Sequence, residues 1–247
     1  MRNILCFLLV LIGTQSYTQT EGKITYEEKI DIHRRMTGER AQFKDRVPQF
    51  RTVVMELYFD DDEAVYRKSE TVEEEAPPPQ AGGGRGRFRM RGGGSGVVYQ
   101  NYAEDRRVEQ RNFMDKKFLI RGEPERKSWK LTGESMQVGQ YLCQKATFQD
   151  STDNIVAWFT PQIAVPLGPA QYGQLPGLVL HVDINEGERT YTAQTIELDE
   201  IDTSVLKEPT KGKEVTQEEF QTLVREKVKE MRANGFGGRG RGRGGRN

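Results

Sequence analysis

The chain has 247 residues, of which 35% are hydrophobic and 30% charged, with 37 basic residues against 37 acidic. That length suits one substantial all-β or α+β domain better than two. Two cysteines, one of them in the leader, exclude an intramolecular disulfide in a mature protein.

The N-terminus reads as a secretory signal. Arg2 precedes an apolar run from Ile4 to Ile12, too short for a membrane span, which needs about 20 apolar residues. Small residues at Ser16 and Thr18 place cleavage before Gln19, with cleavage after Ser16 as the alternative. Cys6 lies inside the apolar run, too early to carry a lipid anchor. No second hydrophobic span follows, so the mature protein is expected to be soluble and exported, in the periplasm or at the outer membrane.

Strand patterns then follow in close succession. Lys23–His33 alternates, with Ile24, Tyr26, Ile30 and Ile32 on one face. Thr52–Phe59, Glu63–Lys68, Gly96–Tyr102, Arg106–Asn112 and Lys117–Arg121 are rich in β formers. Trp129–Leu131, Gln140–Gln149 and Ile155–Thr160 continue the series, and Leu178–Ile184 with Thr190–Leu198 forms a hairpin turning at 185–188. About ten strands with hairpin-length links predict a mainly β fold, an antiparallel curved sheet or half-barrel. One amphipathic helix closes the pattern. Thr216 and Glu219 form a capping box, Phe220, Leu223, Val224, Val228 and Met231 share a face, and Asn234-Gly235 marks its end. The helix is expected to cover a face or open edge of the sheet.

Two Gly/Arg tracts interrupt this pattern. One carries Arg85, Arg87, Arg89 and Arg91, and the C-terminal tail carries Arg239, Arg241, Arg243 and Arg246. Setting these eight and Arg2 aside leaves 28 basic residues against 37 acidic, so the body carries −9. Glycine-rich chain loses too much backbone entropy to order alone, so both tracts are read as disordered. The first, with the acidic, proline-rich run Glu73–Gln80, forms an insertion over 70–96 between two strands. The predicted organisation is a signal over 1–18, one domain over 19–234 and a tail over 235–247. The tracts resemble RGG segments that bind RNA, but export argues against nucleic acid. Anionic glycan, lipopolysaccharide or acidic protein surfaces are the partners such arginines would meet, and a solvated, functionless tail is the simplest reading.

Residues 157–180 contain no Lys, Arg, Asp or Glu. In so charged a chain this window is expected to be buried or to bind something apolar. Pro161, Pro166 and Pro169 forbid helix and most ladder positions, so 160–177 is predicted to be ordered but irregular. Leu175-Pro176-Gly177 fits a type II turn, and Gly168 and Gly173 would allow close backbone approach. Trp158, Phe159 and Tyr172 add aromatic faces. The segment reads either as a buried crossover plugging the sheet or as the lip of an apolar groove.

Other chemistry is sparse. Cys143 reads as a buried small hydrophobe, the alternative being a nucleophile served by His33 or His181. Asp60–Glu63 is dense in carboxylates but lacks the glycine and spacing of a calcium loop, so no metal or cofactor is expected. Hydrolase, phosphate-loop and Cys-x-x-Cys motifs are missing from the sequence, and enzyme activity is not expected.

Lys117–Ile120, Trp129–Glu134, Val138–Thr147, Ala157–Ile163 and Pro166–Pro169 lead in order into Gly173-Gln174-Leu175-Pro176-Gly177-Leu178-Val179. This block resembles the GLPGLI family of exported Bacteroidota proteins, with Gln inserted after the first Gly of the motif and Val in place of its last Ile. The resemblance implies a single exported β-rich domain and a non-enzymatic accessory role beside a TonB-dependent outer-membrane transporter or another envelope protein. The alternative is a periplasmic carrier holding a lipid or hydrophobic peptide in the curved sheet. The family supplies no catalytic residues to carry over.

Overall fold

Residues 21–70 and 96–237 are described by a computed structural model, and twelve strands within them join one open, curved sheet. The signal, all but the ends of the 70–96 insertion and the arginines of both Gly/Arg tracts lie outside the described residues. The strands are β1 Gly22–Asp31, β2 Phe50–Phe59, β3 Glu63–Lys68, β4 Val97–Asn101, β5 Arg106–Phe113 and β6 Lys116–Gly122. They continue as β7 Lys130–Val138, β8 Tyr141–Gln149, β9 Asn154–Thr160, β10 Leu178–Ile184, β11 Arg189–Glu197 and β12 Lys213–Val215. Their order across the sheet is β12-β6-β5-β4-β3-β2-β1-β11-β10-β9-β8-β7. Sequence neighbours pair antiparallel from β1 to β6 and from β7 to β11, and β1 bridges these two halves by pairing with both β2 and β11. The mainly β fold with one C-terminal helix is therefore as expected.

Three elements depart from the sequence pattern. β7 runs on to Val138 because Thr132, Gly133 and Glu134 form a bulge, not a turn, with Gly133 at φ +78°. β12 has no apolar alternation and pairs parallel to β6, where Gly212 (φ +153°) lets the chain pass against the Phe118 backbone. On β1 the inward row continues from Ile24 and Tyr26 to Glu28, Ile30 is half-buried, and the strand ends at Asp31, before Ile32.

The helix α1, Gln217–Gly237, begins with the expected capping box, Thr216 N–H to Glu219 Oε2 at 2.8 Å and Glu219 N–H to Thr216 Oγ1 at 3.2 Å. It continues past Asn234-Gly235, since a glycine weakens a helix but ends it only when it turns left-handed. Phe220 packs on Phe118 and Ile120, so α1 covers β6 near the short edge strand. Elsewhere Leu206 packs with Val65, Tyr99, Val108 and Leu119, fastening the stretch before β12 to the sheet.

Candidate functional site

The charge-free segment between β9 and β10 folds against the sheet as an internal plug. Ile163, Val165 and Leu167 point inward at alternate positions and join Ile24, Tyr26, Met55 and Leu57 in one core cluster. Tyr172 and Leu175 enter a second cluster with Phe159, Val179, Val182 and Tyr191. A bulge at Val179–His181 turns β10 so that Leu178 and Leu180 serve the first cluster and Val182 the second. The buried-crossover expectation describes this arrangement.

Backbone hydrogen bonds stitch the plug in place, from Leu178 N–H to Ile163 O (3.0 Å), Val179 N–H to Leu167 O (2.9 Å) and Gln174 N–H to Pro166 O (2.8 Å). Two buried-side donors add to them, the Tyr26 hydroxyl to Val179 O (2.7 Å) and the Trp129 indole to Gly173 O (3.0 Å). Lys127 caps the aromatic side. Its side chain is 4% exposed, paired with Glu125 at 3.0 Å, and its Nζ lies 5.1 Å and 5.7 Å from the Phe148 and Tyr172 ring centres.

Two glycines are required by contact. A Cβ on Gly168 would sit 1.9 Å from Tyr172 O, and one on Gly177 2.1 Å from Thr160 O. Gly173 is tight as well, with Pro166 O at 3.0 Å. The expected type II turn at Leu175-Pro176-Gly177 is replaced by a tighter one. Gly177 N–H bonds Leu175 O at 2.7 Å, because Leu178 N–H, which a type II turn would use, goes to Ile163.

Among the proposed segment residues, Phe159, Pro169, Tyr172, Leu175 and Gly177 are buried, and Trp158, Gly168 and Gly173 half-buried. Pro161, Pro166 and Pro176 stand exposed. The opening beside Pro166, next to Gln100 and Tyr102, holds about 20 Å3, room for a water molecule and not for a lipid chain.

The remaining chemical candidates are dispersed by the fold. Cys143 is fully buried in the first core cluster, and burial pushes its thiol up to about 11. His33 reaches Val47 O (3.0 Å), whereas His181 reaches Thr192 Oγ1 (2.9 Å) and is held below its usual pKa by burial, against the opposing pull of Asp183. Asp60 caps the β2–β3 turn, accepting from the backbone of Asp62 and Glu63 at 2.9 and 2.8 Å. Among the described residues no group of three or more His, Cys, Asp or Glu side chains could hold a metal.

The sequence pattern did not flag the buried acids, of which Glu28 and Glu109 are the most enclosed. Glu28 is 2% exposed and faces Arg189 at 3.6 Å, and Glu109 is 1% exposed between Arg107 (2.7 Å) and Arg111. An acid at an inward position between apolar residues, as in Tyr26-Glu27-Glu28, is the signal that would have found Glu28.

A larger groove, about 370 Å3, lies where residues 204–211 cross β3, β4 and β5. Val65 and Val97 line it with Arg67, Gln110, Lys207 and Lys211. The crossing stretch is pinned at one end by buried Leu206 and at the other by Gln110 Nε2, which bonds Lys211 O at 2.6 Å. Between them Glu208 is drawn to Arg121 (2.6 Å) and Arg106 (3.2 Å).

A family model described as a protein of unknown function (Porph_ging) matches residues 149–181, spanning β9, the plug and the start of β10. No curated protein matches the chain. Among solved structures it is similar to PNGF-II in two crystal forms, each 14% identical, with TM-scores of 0.55 and 0.54. The alignments cover 83% of this chain but 33% and 32% of PNGF-II, so the chain spans about a third of that protein and the likeness is one of fold.

Proposed function

We propose that the chain is a non-enzymatic, exported binding or accessory protein of the Bacteroidota cell envelope, serving a TonB-dependent outer-membrane transport system. The observation that carries this reading is the plug. The curved side of the sheet is packed by the chain's own residues 161–177, with Tyr172 and Leu175 each less than 10% exposed. That packing weighs against a carrier holding a lipid inside the sheet and leaves the outer surfaces for partners. The burial of Cys143 weighs in the same direction against a nucleophile, since thiolate and access are both needed. The signal-like leader, the GLPGLI resemblance and the match over 149–181 support the envelope assignment.

Crosslinking in intact cells, followed by purification of the tagged full-length protein, tests the reading. Recovery of an outer-membrane transporter is expected. Recovery of no envelope protein, or a hydrophobic ligand co-purifying in stoichiometric amount, would sink it.

A further inference from the structure

The geometry points to the groove beneath residues 207–210 as a docking site for an extended acidic peptide of a partner protein, an inference that rests on the binding role proposed above. Arg67, Lys207 and Lys211 line it, whereas the one acid among its described lining residues, Glu208, is occupied by Arg106 and Arg121. Lys207 and Lys211 are exposed and form no salt bridge among the described residues, with Asp202 the nearby acid that feels the charge of Lys207, in a body that is otherwise acidic. Among the described residues Arg67 is held loosely, 3.7 Å from a Glu70 that is 81% exposed and 5.2 Å from the Tyr58 ring centre.

Volume and spacing favour a peptide over a small anion. About 370 Å3 matches the lower range of ligand sites and far exceeds the roughly 30 Å3 of one water. Lys207 and Lys211 are four residues apart, up to about 14 Å along the chain. A lone carboxylate or phosphate would meet one of them, while a stretch of several residues reaches both. Half-buried Val97 is the apolar part of the floor, since Val65 beside it is already covered by Leu206, and it suits a strand whose side chains alternate between acidic and apolar. The pinned ends at Leu206 and Lys211 keep the groove open without a partner, so little ordering cost attends binding.

The test uses the full-length protein and a fluorescein-labelled peptide of four Glu-Val repeats, read by fluorescence anisotropy. Saturable binding is expected, with no binding of the matching Lys-Val peptide. The double variant Lys207→Glu, Lys211→Glu is expected to weaken it by about tenfold or more, and salt to weaken it further. Lys227→Glu on α1 should leave it unchanged. Absence of saturable binding, or indifference to the double reversal, overturns the proposal. So does displacement of the peptide by millimolar inorganic phosphate, which would mark a plain anion site. Binding that appears only after Glu73, Glu74 and Glu75 are changed to Gln would make the chain's own acidic run the occupant and also overturn it. Any of these failures leaves the envelope role standing if crosslinking still recovers a partner through another surface.

Discussion

Trp129 donates its indole N–H to the Gly173 carbonyl across 3.0 Å, joining the entry to β7 to the plug. The ring also meets Phe148 edge-on at 6.0 Å, beside the Lys127 side chain that lies over Phe148 and Tyr172. The plug is thus held from the sheet side by Tyr26 and from the β6–β7 connection by Trp129 and Lys127. Trp129→Phe removes the bond and leaves a half-buried carbonyl unpaired. It should cost about 1–3 kcal/mol in urea denaturation. A change below a few tenths would mean that the connection does not hold the plug.

Gly168 and Gly177 fix how closely the plug lies on its neighbours. Gly177→Ala places a methyl 2.1 Å from Thr160 O at φ +148°, and Gly168→Ala one 1.9 Å from Tyr172 O. Backbone is the obstacle in both, so each should cost more than about 3 kcal/mol or prevent folding. Gly187→Ala offers the control. Its φ is +89° in open space, and the strain alone should cost about 1 kcal/mol. Equal losses at all three sites, measured by thermal and urea unfolding, would refute the close-approach argument.

Strand positions were legible from sequence because β formers and turn residues follow each other at short intervals. Glu63–Lys68 and Leu178–Ile184 match the observed strands at both ends. β12 was not legible, since Lys213-Glu214-Val215 has no pattern of its own and becomes a strand by pairing with β6. The burial of the plug followed from the lack of charge over 157–180, whereas its tighter turn depends on Ile163, which lies twelve residues before Leu175 and claims the Leu178 N–H. The basic groove was invisible for a similar reason. Arg67 and Lys211 are distant in sequence and meet through the crossing of β3 by residues 204–211.

Tyr26 and Tyr66 form an edge-on pair at 6.3 Å, both nearly fully buried, yet their hydroxyls differ. That of Tyr26 bonds Val179 O, while that of Tyr66 has no hydrogen-bond partner among the described residues. Tyr26→Phe should therefore lose about 1–3 kcal/mol by orphaning a buried carbonyl. Tyr66→Phe removes an unpaired polar atom and should be neutral or slightly stabilising. If Tyr66→Phe proves as damaging as Tyr26→Phe, a buried water or other partner satisfies the Tyr66 hydroxyl.

Acid should loosen the fold partly through His181. Burial lowers its pKa in the folded state, with Asp183 opposing, so the unfolded chain takes up a proton first as pH falls through about 6.5. The unfolded state then binds more protons than the native state, and stability must rise with pH across this window and fall toward acid. His181→Gln keeps a group able to bond Thr192 but does not titrate there. Urea midpoints from about pH 7 down to 5 should fall less steeply for the variant than for the parent. Cys143 acts at the other end of the scale. Its folded thiol titrates near 11, above its ordinary 9.0, so the unfolded chain loses its proton first and stability declines as pH rises through 9 toward 11. With Cys6 replaced by Ser, iodoacetamide at pH 8 should leave the native protein unlabelled and modify Cys143 once urea unfolds it. Rapid labelling of the native form would show a thiol that the core does not protect, and would reopen the nucleophile reading.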